Sequence, residues 1–122
     1  MIRVLVVDDQ QLLRQGLCSL LALSDKVEVV GQANDGAEAR DWLQANADGV
    51  DVMLLDIRMP RMTGIELLNS LKQDGALLPT IMLTTFDDHE SLMGALSAGA
   101  KGYLLKDVSL ETLVDGIEAV HN

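Results

Sequence analysis

Four apolar runs in this chain end in a residue that can do chemistry. Val52-Met53-Leu54-Leu55 runs into Asp56, and Val4-Leu5-Val6-Val7 runs into the pair Asp8-Asp9. Ile81-Met82-Leu83 ends in Thr84, and Tyr103-Leu104-Leu105 ends in Lys106. Three carboxylates gathered in one place repel strongly: two unit charges about 4 Å apart cost ~4 kcal/mol at an effective dielectric of about 20. Such a cluster calls for a cation or for raised pKa values. The ligands are hard oxygens with no His or Cys among them, which selects Mg²⁺ or Ca²⁺ over Zn²⁺. A small, partly hydrated Mg²⁺ suits a site of two or three carboxylates. Lys106 adds a positive charge and Thr84 a hydroxyl donor. Acid, metal, lysine and hydroxyl together fit phosphoryl transfer, which is mostly positioning and charge neutralisation. A carboxylate can itself be the nucleophile and become an aspartyl-phosphate. Asp56 is the best placed for that, because it is central and lies beside a loop that Pro60 forces.

Each feature alone has a plainer reading. An acid pair after a strand is often a helix cap, a lone lysine is usually a solvated charge, and a threonine is an ordinary strand residue. Four strand ends apt at once are much harder to dismiss. Their meeting requires the strands to be parallel and side by side. A short apolar run bounded by turn residues fits a strand buried on both faces, as parallel strands are. Strands are expected at Ile2 to Val7, Val27 to Ala33, Val52 to Asp56, Thr80 to Thr84 and Gly102 to Leu105. The second is less apolar and belongs nearer an edge.

Helical patterns separate them. The first helix is expected from about Gln10 to Leu23, capped by Asp9. Its Leu13, Leu17, Leu20 and Leu21, widened by Leu12 and Leu23, predict either a helix packed on both the sheet and a neighbouring helix or one with an exposed partner surface. Asp35-Gly36-Ala37-Glu38 and Thr63-Gly64-Ile65-Glu66 are helix starts with an acid three residues past the cap. The first of these helices runs to about Asn46 with Ala39, Trp42 and Leu43 inward; the second ends near Gly75. Asp87 is expected to cap a helix from about Asp88 to Ala98, in which Gly94 costs ~1 kcal/mol relative to Ala. Ser109 caps the last, striped by Leu110, Leu113, Val114, Ile117 and Val120. Strands alternating with helices predict an α/β parallel sheet with helices on both faces. The C-terminal strand ends then share the edge where ligands bind in such sheets.

The 122 residues are read as one domain, 1–122, with no internal boundary or repeat. A composition 48% hydrophobic argues for a globular core, and a formal net charge of −10 argues against this segment gripping nucleic acid itself. Cys18 is the only cysteine, so no internal disulfide forms. His89 and His121 are expected at the surface. No basic-then-apolar leader and no membrane-length apolar run is visible, so a cytoplasmic, non-membrane location is expected.

At this point the chain resembles a response-regulator receiver domain. The matching features are Val6-Val7-Asp8-Asp9, Leu55-Asp56-Ile57-Arg58-Met59-Pro60 followed by Thr63-Gly64, Leu83-Thr84-Thr85, and Ala98-Gly99-Ala100-Lys101-Gly102-Tyr103-Leu104-Leu105-Lys106-Asp107. The resemblance implies a flavodoxin-like (βα)5 sheet in order 2-1-3-4-5. It implies that Asp56 is the phosphoacceptor, charged from the phosphohistidine of a sensor histidine kinase. It implies Mg²⁺ bound directly by Asp9 and Asp56, with Asp8 acting largely through water and the Arg58 backbone carbonyl completing the protein ligands. Thr84 would bond the phosphoryl group and Lys106 would pair with it. Tyr103 stands at the switch-aromatic position. Arg58 and Phe86, two residues past Asp56 and Thr84, stand where receivers tune the lifetime of the phosphorylated state.

Asp107 after Lys106, together with Leu83-Thr84-Thr85-Phe86-Asp87, resembles the NarL/FixJ-type regulators. That implies control of a C-terminal helix-turn-helix DNA-binding domain and a phosphorylation-dependent homodimer, with the first and last helices as the contact. Two alternatives stand beside this reading. One is a stand-alone receiver acting by docking or phosphorelay. The other is a Mg²⁺-dependent phosphohydrolase with an aspartyl nucleophile, for which the chain has little length to build a substrate pocket or cap.

Overall fold

The computed structural model describes residues 1–84 and 89–122, with His89 described in its backbone only. The expected Asp87 cap and the position of Phe86 therefore lie outside the described residues. The chain alternates β1 (Ile2–Val7), α1 (Gln11–Leu21), β2 (Val27–Ala33), α2 (Gly36–Ala45), β3 (Val52–Asp56), α3 (Gly64–Gln73), β4 (Thr80–Thr84), α4 (His89–Ser97), β5 (Gly102–Leu105) and α5 (Leu110–His121). The strands form one parallel sheet in order β2-β1-β3-β4-β5. This is the flavodoxin-like arrangement expected, with β2 at one edge.

Period two along the strands divides the core. Leu5, Val7, Met53, Leu55 and Met82 face α2, α3 and α4, against Ala39, Leu43, Leu67, Leu68, Leu71, Leu92 and Ala95. Val4, Val6, Val52, Leu54, Ile81 and Leu83 face α1 and α5, against Leu21, Leu113, Val114 and Ile117. β3 and β4 are buried along their whole length, because both have strand neighbours and both faces are covered. β5 departs from that expectation. Its burial alternates, with Tyr103 51% and Leu105 37% exposed, because it is the other edge strand.

One expectation about α1 is overturned. Asp9 does not cap it: the cap position is Gln10, which makes no side-chain cap bond, and the Asp8 Oδ1 accepts the Gln10 N–H at 2.9 Å instead. α1 does pack on both the sheet and α5, as expected, though not every leucine of its stripe is covered. Leu21 is buried, but Leu12 and Leu23 are 84% and 77% exposed, and Leu13 and Leu20 are partly exposed. One helix face is enough to meet both β1 and α5, so the leucines beyond that face reach solvent. The other caps are as read: Asp35 accepts from Glu38 N–H, Thr63 and Glu66 close a full capping box, and Ser109 accepts from Thr112 N–H. The reading of Gly94 also changes. A Cβ there would stand 3.2 Å from Ile65 Cδ1, so the glycine lets α4 approach α3.

Candidate functional site

The sheet register brings the strand ends level. Val7 pairs with Leu55, Asp56 with Leu83, and Thr84 with Leu105. The ladder runs one residue further at both sides of the site: Asp8 N–H donates to Ala33 O and Lys106 N–H to Thr84 O. Asp8 continues the face of Val4 and Val6, Asp56 that of Val52 and Leu54, and Lys106 that of Leu104, all toward the α1 and α5 side. Thr84 continues the face of Met82, on the opposite side, as does Tyr103, which pairs with Met82.

Each of Asp8, Asp9 and Asp56 offers one carboxylate oxygen, and these three atoms lie within 4.8 Å of one another. Asp8 is fully buried, Asp56 is 5% exposed and Asp9 faces solvent. Lys106 Nζ sits 3.1 Å from Asp56 Oδ1 and 3.7 Å from Asp8 Oδ2. Burial raises the Asp56 carboxyl to about 6; the Asp8 charge pushes the same way, Lys106 opposes, and Asp9 adds a smaller push. One lysine thus offsets only part of the repulsion among three acids. The Asp8 Oδ2 is buried with no hydrogen-bond partner among the described residues. An unmatched buried acceptor among clustered carboxylates fits a hard, oxygen-seeking cation. Thr84 is 3% exposed at the end of β4.

The loop from Ile57 to Thr63 is built against the site. Gly64 N–H donates to Ile57 O at 2.8 Å, and a Cβ on Gly64 would lie 2.5 Å from the Asp56 carbonyl oxygen. Only glycine lets α3 start this close to the Asp56 main chain. Arg61 holds a left-handed backbone, φ 65°, and pairs with the buried Asp35 at the start of α2 through both Nε and Nη2. Gly36 N–H bonds Met62 O at 3.1 Å. The Glu38 N–H first, and Arg61 after it, hold the Asp35 carboxyl below the usual carboxylate range. The Arg58 side chain is exposed.

Sequence reasoning thus located all five strand-end residues that the structure brings to this edge. It passed over Arg14, Arg61 with its pairing to Asp35, and the close approach at Gly64. Arg14 is 7% exposed and donates to the Asp8 main-chain carbonyl at 2.7 Å. The signal for it was present. Arg14 precedes Cys18 by four and Leu21 by seven, which places a cation on the inward face of α1.

The family model described as response regulator receiver domain matches residues 4–118. The nitrate/nitrite response regulator protein NarP of Escherichia coli is 44% identical over 117 residues, covering 96% of this chain and 54% of NarP. A solved structure, the signal receiver domain of the putative response regulator NarL from Mycobacterium tuberculosis, superposes with a TM-score of 0.89 at 35% identity, covering 98% of this chain and 95% of that one. The CheY in a CheX–CheY–BeF3–Mg complex from Borrelia burgdorferi superposes at 0.87 with 25% identity, covering 99% and 90%. The chain spans about half the length of the curated relatives it matches, 54% to 59% for three of them.

Proposed function

Because this chain belongs to the response regulator receiver family, we propose that its acidic edge is a phosphoacceptor site with Asp56 as the acceptor. The observation that carries the reading is the gathering of Asp8, Asp9 and Asp56 around a buried acceptor, with Lys106 against Asp56. The donor is the phosphohistidine of a sensor histidine kinase. A carboxylate oxygen of Asp56 bonds to phosphorus as the P–N bond breaks, and the imidazole leaves carrying a proton. The raised Asp56 carboxyl makes it a stronger base than a free aspartate yet still mostly ionised at pH 7.

Asp9 and Asp56, with the Arg58 backbone carbonyl, would hold Mg²⁺ directly, and Asp8 would act largely through water. The ion supplies charge neutralisation for the transferring phosphoryl group. Lys106 leaves Asp56 Oδ1 for a phosphoryl oxygen, and Thr84 donates its hydroxyl to another. Thr84 and Tyr103 share one side of the sheet, which supports Tyr103 as the aromatic that answers Thr84. Tyr103 is exposed here, so the inward position is the one phosphorylation would favour. Arg58 and Phe86 would limit water at the phosphoryl group; Phe86 lies outside the described residues. Residues 1–122 act as one receiver domain whose chemistry is this transfer and its reversal by water, without substrate turnover.

The output is control of transcription through a C-terminal helix-turn-helix DNA-binding domain; the relatives LnrK and DesR of Bacillus subtilis are named transcriptional regulatory proteins, which supports this. A cytoplasmic site of action follows from that role; no helix among the described residues is long and apolar enough to cross a membrane. The phosphorylated receiver would self-associate through α1 and α5. Leu12, Leu13, Leu17, Leu20, Leu105 and Leu113 line a cavity of about 550 Å³ there, which supports that contact.

Two measurements test the reading. Incubation with a small phosphodonor and Mg²⁺ is expected to add one phosphoryl group, mapped by mass to Asp56 and absent from Asp56→Asn. Labelling elsewhere, or turnover beyond one equivalent per protein, would defeat it. Sedimentation with a phosphoryl mimic and Mg²⁺ is expected to show a dimer; a monomer at high concentration in both states removes the dimer.

A further inference from the structure

The phosphoryl chemistry leaves one buried cation without a task. Arg14 on α1 is 7% exposed, and among the described residues the hydrogen-bond acceptors it meets are neutral. Its Nη1 donates to the Asp8 main-chain carbonyl at 2.7 Å and to Asn34 Oδ1 at 2.6 Å, and its Nε donates to Gln32 Oε1 at 3.1 Å. Asn34 in turn donates to Glu38 Oε2 on α2 at 3.2 Å. A guanidinium held from water, with no carboxylate bonded to it among the described residues, is costly to bury. What it gains is a fixed geometry. The planar fork reaches several acceptors in set directions at once, which a lysine ammonium cannot do. Those acceptors belong to the end of β1, to β2 and to the turn into α2. One of them is the main-chain carbonyl of Asp8, whose carboxylate belongs to the acidic cluster and whose neighbour is Asp9.

We infer that Arg14 is a positioning residue for the cation site: its fork pins the main chain at Asp8 and so sets where the Asp8 and Asp9 carboxylates stand. The inference rests on the proposed divalent-cation reading. Groups that orient metal ligands through one intervening contact typically change metal affinity by about 10–100-fold when removed. The cluster here is especially exposed to such a loss. Asp9 faces solvent, so little besides its main chain holds it in place.

The test is Mg²⁺ titration of the intact chain, followed by amide NMR shifts of residues 8–10, beside urea denaturation of the same samples. Arg14→Lys and Arg14→Gln are both expected to weaken Mg²⁺ by about 10-fold or more. Leu21→Ala truncates the core of the same helix. It is expected to lose stability and keep the wild-type affinity, which separates positioning from general loosening. Asn34→Ala removes one acceptor of the fork while leaving Arg14 in place, and serves if the Arg14 variants do not fold; it is expected to fall between wild type and Arg14→Gln. Wild-type affinity in all three, or rescue by lysine alone, would overturn the inference. Failure of the wild-type chain to take up Mg²⁺ would instead remove the cation reading beneath it.

Discussion

Asp56 is held in conflict by its surroundings. Burial and the Asp8 charge favour its proton, while Lys106 favours its ionised form, and the balance leaves the carboxyl at about 6. An unfolded aspartate titrates near ~3.9. Between about pH 4 and pH 6 the folded chain therefore holds a proton that the unfolded chain has lost, so stability of the cation-free chain falls as pH rises through that window. The shift corresponds to roughly 3 kcal/mol, fully expressed above about pH 6. Asp56→Asn removes the charge and keeps the shape. It is expected to stabilise the cation-free chain by roughly 1–3 kcal/mol at pH 7 and to do little at pH 4. Urea denaturation in chelator at the two pH values checks this, and equal effects at both would contradict it. The same balance explains what was readable at this scale. Asp8, Asp9, Asp56, Thr84 and Lys106 end apolar runs, and period two with a parallel register leaves little freedom in where they meet. Arg14 and Arg61 were not readable in the same way, because their partners, Asn34 and Asp35, come together only in three dimensions.

Elements differ in how strongly the leucine pattern constrains them. α5 carries its stripe inward, with Leu113, Val114 and Ile117 buried, since it crosses the middle of one sheet face. α1 carries more leucine than that face can cover. Apolar spacing states that a surface avoids water; it does not state whether the chain's own core or another molecule covers it. Substitution distinguishes the two. Leu21→Ala is expected to cost 2–5 kcal/mol, in the range of large-to-small core changes, whereas Leu12→Ser should change stability by no more than about 0.5 kcal/mol. Denaturation midpoints of the two variants measure it directly, and a large loss at Leu12 would mean that α1 sits deeper than described. The helix starts were legible for a simpler reason: Asp35, Thr63 and Ser109 cap from their own side chains, within three residues. Asp9 failed as a cap because the preceding acid, Asp8, accepts the Gln10 N–H.

Across the whole molecule, acid groups at opposite ends of the strands pull stability in opposite directions. Asp51, just before β3, accepts from the Arg3 side chain and main-chain N–H at 2.8 to 3.1 Å, and these bonds hold its carboxyl at about 2. That contribution is present above about pH 4 and is lost as pH falls toward 2. Asp56 destabilises as pH rises from about 4 to 6. Taken together, these two groups place the stability maximum of the cation-free chain near pH 4 to 5, and Mg²⁺ should carry it upward by stabilising ionised Asp56. A thermal midpoint series from pH 2 to 7, with and without Mg²⁺, tests the profile. Asp51→Asn should flatten its acid limb and leave the neutral limb unchanged. A profile that rises steadily to pH 7 without metal would refute it.

The strand order also bears on how the site is assembled as the chain is made. After β2 has paired on one side of β1, the sheet grows at a single edge, β1 to β3 to β4 to β5. The acids arrive on the first and third strands, and Lys106 arrives last, beyond β5. A nascent chain that has laid down β4 already has its three carboxylates in register and lacks the lysine that opposes their repulsion. The final strand therefore contributes counter-charge as well as hydrogen bonds. Residues 106–122 carry both that lysine and α5, which covers Val6, Leu54 and Ile81. An emerging chain thus has its weakest hold on the acidic edge until α5 has left the ribosome, so the edge should assemble in a single late step.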